Sequence, residues 1–162
     1  MNRIGIVTSG GDAPGINAAI RAIVRIAHSK NLQVLGFKRG WEGLITNSFR
    51  RLTPRSVSGI IHTGGTILHF SRCPEFRTEK GIEKACENLV RNSIDGLIVI
   101  GGDGSFRGAL DPPYIKPLYT IRAPFEPSMR DHTPSKLNVN AYLNSIGLAH
   151  QKVLKITWKP LV

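Results

Sequence analysis

Apolar residues follow two rhythms along the first hundred positions. Ile4, Ile6 and Val7 form a short run that leads into glycine, the mark of a buried strand over 4–8. Ile16, Ala19, Ile20, Ile23, Val24 and Ala27 recur every three or four positions, which predicts an amphipathic helix over 16–29. Residues 32–37 (LQVLGF) read as the next strand. Strand, glycine-rich turn, helix and strand together make the unit from which parallel sheets are built. Thr53-Pro54 has the form of an N-cap with proline at the first helical position, so a short helix is expected through Ile60-Ile61. Gly64-Gly65-Thr66 ends it and leads into a short strand near 67–70. Ile82, Ala85, Cys86, Leu89 and Val90 predict a second amphipathic helix over 79–92. Leu97-Ile98-Val99-Ile100 is apolar throughout, as suits a central parallel strand buried on both faces. It ends in Gly101-Gly102-Asp103-Gly104-Ser105, where a further helix opens.

Past Leu110 the rhythm stops. Asp111-Pro112-Pro113 blocks helix continuation, and residues 111–136 mix six prolines with aromatics without a sustained period. A short helix over 139–148 and a short strand over 153–158 are the only elements in view. Composition breaks at the same place. Residues 1–110 hold 16 of the 17 glycines and three of the ten prolines; residues 111–162 hold one glycine and seven prolines. The expected organisation is an α/β part over 1–110 and an unrelated or frameshifted, irregular tail over 111–162.

The whole chain, 162 residues, is long enough to bury a real core. Its composition excludes a coiled coil, a collagen-like repeat and a disulfide scaffold. Net charge is +11, split +7 before residue 110 and +4 after it. That balance suits nucleic acid, polyanionic small molecules or scattered solvated charge. No zinc-finger spacing and no RNA-binding aromatic signature accompanies it. Cys73 and Cys86 form no CxxC pair and read as reduced thiols of a cytoplasmic protein. No stretch approaches a membrane span or a signal-peptide core. The five histidines show no metal-ligand spacing, and Trp41 reads as packing beside a cleft.

Two turns carry the chemistry. TSGGDAPG (8–15) and GGDGS (101–105) each follow an apolar strand and precede a helix. In a parallel sheet such turns sit at the carboxyl ends of the strands, where ligands bind. Glycine lets the backbone approach a phosphate, and the free N–H groups of the helix start supply donors. An aspartate inside the turn can hold a Mg²⁺–phosphate complex. Ser105 can donate to a phosphate or cap its helix. Neither turn is a Walker A sequence or a GxGxxG, so a dinucleotide site is disfavoured.

With TSGGDAPGINAAIR (8–21), RGWEGL (39–44), SVSGIIHTGGTIL (56–68), SRCPEFRT (71–78) and IDGLIVIGGDGS (94–105), the chain resembles the N-terminal part of 6-phosphofructokinase, bacterial type. The resemblance runs collinearly from Ile4 to about Leu110. It implies a three-layer, parallel-sheet phosphofructokinase fold, incomplete here, and glycolytic transfer of the ATP γ-phosphate to the 1-hydroxyl of fructose 6-phosphate. By position it implies an ATP site of Gly11, Arg72, Cys73, Gly102, Asp103, Gly104, Ser105 and Gly108. Arg72 would meet the charge of the transferring phosphate, and Asp103 would serve Mg²⁺. Glycine at 104 favours ATP over pyrophosphate, because a carboxylate there would repel the nucleotide α-phosphate. Arg21 and Arg25, four apart on one helix face, would join an allosteric nucleoside-diphosphate site between subunits of a homotetramer. The bacterial pattern has arginine at 54; this chain has Pro54 followed by Arg55.

Phosphoryl transfer also needs a group to take the sugar hydroxyl proton. The family's GTIDND-like segment, which carries that aspartate, is absent from 111–135, as is the later MGR motif. Asp111 and Asp131 lack its context, so no general base is assigned, and the expectation is a family member inactive as this chain. The alternatives are a non-catalytic nucleotide-binding protein, a NAD or diacylglycerol kinase sharing only GGDGS, a nucleic-acid binder, and a half-sheet without function whose open edges aggregate.

Overall fold

The computed structural model describes residues 2–11, 13–102 and 105, with the backbone of 118–122 and 154–156. Six strands form one sheet: β1 (Arg3–Thr8), β2 (Gln33–Phe37), β3 (Phe49–Leu52), β4 (Gly96–Gly101), β5 (Leu118–Arg122) and β6 (Leu154–Ile156). Their spatial order is β3-β2-β1-β4-β5-β6. β1 and β4 lie at the centre, paired in parallel from Ile4 opposite Gly96 to Thr8 opposite Ile100. All six residues of β4 are buried, as a strand covered on both faces requires.

Side-chain alternation splits the core into two layers. Ile4, Ile6, Ile98 and Ile100 meet α1 (Ile16–Ser29) through Ile16, Ile20, Ile23 and Val24. Val7, Leu97 and Val99 face the other way, against α2 (Trp41–Ile45) and α3 (Glu79–Arg91) through Leu44, Ala85 and Leu89. The three-layer α/β fold expected from the sequence is therefore present, and α1, β2, α3 and β4 fall within a residue or so of their expected positions. Among the described residues no helix is long and apolar enough to cross a membrane.

Four elements differ from expectation. β3 was not foreseen, and it pairs with β2 antiparallel, so the sheet is mixed. Its sequence Phe-Arg-Arg-Leu lacks a period of two; Arg50 and Arg51 both lie exposed on this edge strand, where charge discourages pairing with another chain. Thr53 and Ser56 do exchange side-chain bonds like a helix start. The following residues form only turns, however, and Gly59 at φ 76° admits just a 3-10 turn over Ile60–His62. No strand forms near 67–70. His69 instead bonds back to Thr66 at 3.0 Å with its own φ at 58°. From the tail, β6 falls within the expected 153–158 strand, while β5 comes from the stretch that showed no period; both run parallel to β4. The helix expected over 139–148 lies outside the described residues.

The start of β1 is held by Asp95, whose carboxylate accepts from the amides of Asn2 at 2.5 Å and Arg3 at 2.9 Å. These two bonds keep its pKa below the ordinary value near 3.8. The stabilisation is present above that range and is lost as pH falls through the lowered folded-state value. Asp95→Asn should therefore lower the denaturation midpoint at neutral pH by at most about 1 kcal/mol equivalent, the site being solvent-open. The gap between variant and parent should close as pH falls through that lowered value; a gap that stays constant on acidification would contradict this role for the carboxylate.

Candidate functional site

β1 is the point where the strand order changes direction. The chain leaves it through α1 to β2 on one side, and later returns to place β4 on the other. Crevices for ligands form outside the carboxyl ends of strands at such a point. Both glycine-rich turns leave from there, one from each central strand. They touch: the amide of Ser9 donates to the Ile100 carbonyl at 2.9 Å. A side chain at Gly101 would collide with the Ser9 carbonyl oxygen and with Ser105, so only glycine lets the turns pass this closely. On the opposite flank Gly40, at φ 65°, lies equally tight against the Thr8 carbonyl oxygen.

Above this crossing the backbone is open. Gly11 and Gly102 are exposed, and among the described residues nothing stands within 4 Å of where a Cβ would project. Gly15 caps α1 in the left-handed conformation, with no side-chain cap and no acid in the first turn. The helix thus presents its first N–H groups and the positive end of its dipole without internal neutralisation. Ser105 is 7% exposed. Its amide donates to the Gly102 carbonyl at 3.0 Å, and its hydroxyl is wedged between the Gly10 and Gly101 backbones. Asp103, Gly104 and Gly108 lie outside the described residues.

A second layer of contacts brings in the segment after residue 65. Asn17, 2% exposed on the buried face of α1, donates to the Thr63 carbonyl and accepts from the Ile67 amide, both at 2.9 Å. With Thr63, Gly64 and Phe70 it lines a cavity of about 460 Å³. The Thr8 hydroxyl donates to the His69 carbonyl at 2.9 Å, and the Arg39 amide to that of Leu68 at 2.8 Å. The chain is thereby tied across the end of β1 and delivers Arg72 and Cys73 beside it. Arg72 is exposed and makes no ion pair among the described residues. Cys73 is half-buried against the α2–α3 layer. Burial raises the pKa of Cys86, the other free thiol.

The short helix α2 steadies this segment. Trp41, buried as packing rather than open to a ligand, stacks on Phe76 at 4.1 Å and 12°. Glu42 accepts from the Ser71 hydroxyl at 2.5 Å and from Arg39 at 3.3 Å. The Ser71 bond, with Arg39 contributing less, holds the Glu42 pKa below the usual carboxylate range. Asn88 of α3 donates to the carbonyls of Leu44 and Ile45 and closes the C-terminal end of α2.

Arg21 and Arg25 stand elsewhere. Arg21 donates to the Val57 carbonyl at 3.1 Å and so faces the 53–59 turns; Arg25, one helical turn on, is exposed. Sequence reasoning passed over Asn17, Glu42, Ser71 and Phe76. Asn17 had a signal: it sits three residues before Ile20 and seven before Val24, on the apolar stripe. Glu42 and Ser71 had none, being 29 positions apart with no local pattern joining them.

The phosphofructokinase family model matches residues 3–113. The chain belongs to the phosphofructokinase family. It is 56% identical over 109 residues to the ATP-dependent 6-phosphofructokinase of Bacillus pumilus (strain SAFR-032), covering 67% of this chain and 34% of that protein. It is 58% identical, with the same coverage, to that of Clostridium botulinum (strain Hall). The crystal structure of Pichia pastoris phosphofructokinase in the T-state superposes with a TM-score of 0.70 at 37% identity, over 75% of this chain and 15% of that one. The chain spans about one third of the length of the curated relatives it matches. The family match thus covers the stretch that holds the glycine crossing, α2 and the 71–77 segment.

Gly101→Ala should cost about 1–3 kcal/mol by forcing the two turns apart. Gly102→Ala, with open space at its Cβ, should leave the midpoint of chemical denaturation within about 0.5 kcal/mol of the parent. Equal midpoints for the two variants would contradict the close approach.

Proposed function

We propose that residues 3–113 are the nucleotide-binding part of an ATP-dependent 6-phosphofructokinase, and that this chain binds Mg-ATP without completing the transfer to fructose 6-phosphate. One observation carries the reading: two open glycine turns and an uncapped helix start converge where the central strands end. Polyphosphate is the ligand chemistry that such a set of free N–H groups fits. The backbones of Gly11 and Gly102 approach the phosphates from two sides. Arg72, exposed beside the same end of the sheet, supplies the charge that a transferring phosphoryl group demands. Ser105, buried, packs beside the Gly10 and Gly101 backbones.

A Mg²⁺ ion fits the same donor set, since it is usually held by phosphate oxygens and one or two carboxylates. Asp103, next to the open Gly102, would hold it, and the ion would neutralise charge on the bridged phosphates. Glycine at 104 supports a nucleotide over pyrophosphate. The proton-accepting aspartate belongs to the GTIDND-like segment that 111–135 lacks, and the sugar phosphate to later motifs, MGR among them, that this sequence also lacks. Arg21 and Arg25 are read as one wall of a nucleoside-diphosphate effector site in a homotetramer of the longer enzyme. The bond from Arg21 to Val57 supports that orientation, although Pro54 removes the arginine the bacterial pattern has there.

Titration calorimetry on the purified chain should show Mg-ATP binding. Arg72→Ala should weaken Mg-ATP about tenfold while changing Mg-ADP little, because the lost charge faces the terminal phosphate. A coupled assay with fructose 6-phosphate should give no ADP above the Mg-ATP blank. Turnover at an ordinary kinase rate, about 1–100 per second, would overturn the incomplete-site reading; absence of Mg-ATP binding would overturn the nucleotide reading itself.

A further inference from the structure

Arg72 has no hydrogen bond or ion pair among the described residues to fix it, so its usefulness depends on where its backbone is held. The two ends of its segment are both gripped by α2. Phe76 stacks on Trp41, and Ser71, the residue immediately before Arg72, bonds to Glu42. A serine hydroxyl has one proton to give. Two acceptors compete for it: the Arg39 carbonyl at 3.2 Å and the Glu42 carboxylate at 2.5 Å. The shorter, charge-assisted bond wins. Glu42 also takes the Arg39 guanidinium at 3.3 Å. As an ion pair three residues apart and open to water, that contact contributes little by itself. Its consequence is geometric: the carboxylate is held over α2, with its second oxygen turned to Ser71.

We propose that Glu42 is a positioning residue for the nucleotide, holding the 71–73 segment through the Ser71 hydroxyl so that Arg72 stands ready at the phosphates. The proposal rests on the nucleotide-binding reading above for its ligand, but the hold on the segment is a property of the free chain. α2 is suited to the task. Its apolar residues Trp41, Leu44 and Ile45 are buried, Asn88 fixes its end, and Glu42 is the one charged side chain it carries. The energetic cost of ordering Arg72 is thereby reduced before ligand arrives, which raises affinity without adding a contact.

Two measurements test it on the full 162-residue chain. The first is alkylation of half-buried Cys73 by iodoacetamide without nucleotide, followed by mass spectrometry, with Cys86 on α3 as internal reference. Glu42→Ala and Ser71→Ala should each speed labelling of Cys73 several-fold and leave Cys86 unchanged. The second is Mg-ATP affinity. Each single variant should bind about three- to tenfold more weakly, the scale of one charge-assisted bond open to solvent. The double variant should be no weaker than the worse single one, since both remove the same link. Glu42→Gln, which keeps an acceptor, should recover part of the loss, with thermal midpoints nearly level across the set. Unchanged Cys73 labelling would overturn the proposal whatever the nucleotide does. So would additive losses, or affinity that falls only in step with thermal stability. If the parent chain fails to bind Mg-ATP, the nucleotide reading falls and the assigned role falls with it; the labelling then still separates a held segment from a free one.

Discussion

The amide of Ser9 donates to the carbonyl of Ile100, and on either side of that contact a glycine lies flat against the exit of β1. This crossing cannot be loosened without cost. A side chain at Gly101 meets Ser9, and one at Gly40 meets Thr8. With the exits of two parallel strands pressed together, their turns must spread upward and outward. Both turns therefore start from one place rather than two. The candidate phosphate site follows from this constraint more than from any single side chain.

Everything below the crossing serves to keep it still. Ile4, Ile6, Ile98 and Ile100 lock the central strands to α1 on one face. Val7, Leu97 and Val99 lock them to α2 and α3 on the other. These apolar contacts supply the stability; the polar links supply placement. Asn17 ties the 63–67 loop to α1, Thr8 ties His69 to β1, and Glu42 ties Ser71 to α2. Each spans at least 29 residues of chain for one or two hydrogen bonds. Links of this kind contribute modestly to stability, yet they decide which residues stand at the mouth of the site.

Much of the fold was legible because its central elements are amphipathic in a simple way. α1 and α3 bury one stripe, and β4 is apolar throughout, so local period and burial agree. Where the prediction failed, local pattern and tertiary demand parted. Phe49-Arg50-Arg51-Leu52 forms a strand because β2 offers an unpaired edge, and not because its residues alternate. Thr53 and Ser56 start a helical turn that Gly59 then ends. Residues 67–70 have the apolar content of a strand, but Asn17 takes the Ile67 amide and the chain turns back on itself.

The candidate site divides along the same line. Residue order alone determined that two glycine-rich turns follow two apolar strands, that Arg72 and Cys73 lie in a segment resembling a known nucleotide site, and that no proton-accepting segment follows within 111–135. Those are properties of a linear pattern, because backbone approach and helix starts need particular residues at particular spacings. Tertiary structure alone decided that the two strands are neighbours, which makes one site of two turns. It likewise placed Glu42 against Ser71 and Trp41 against Phe76, and turned Arg21 to the Val57 carbonyl. A hydrogen bond or ring stack between distant segments leaves no period in either of them, so only the folded chain reveals it.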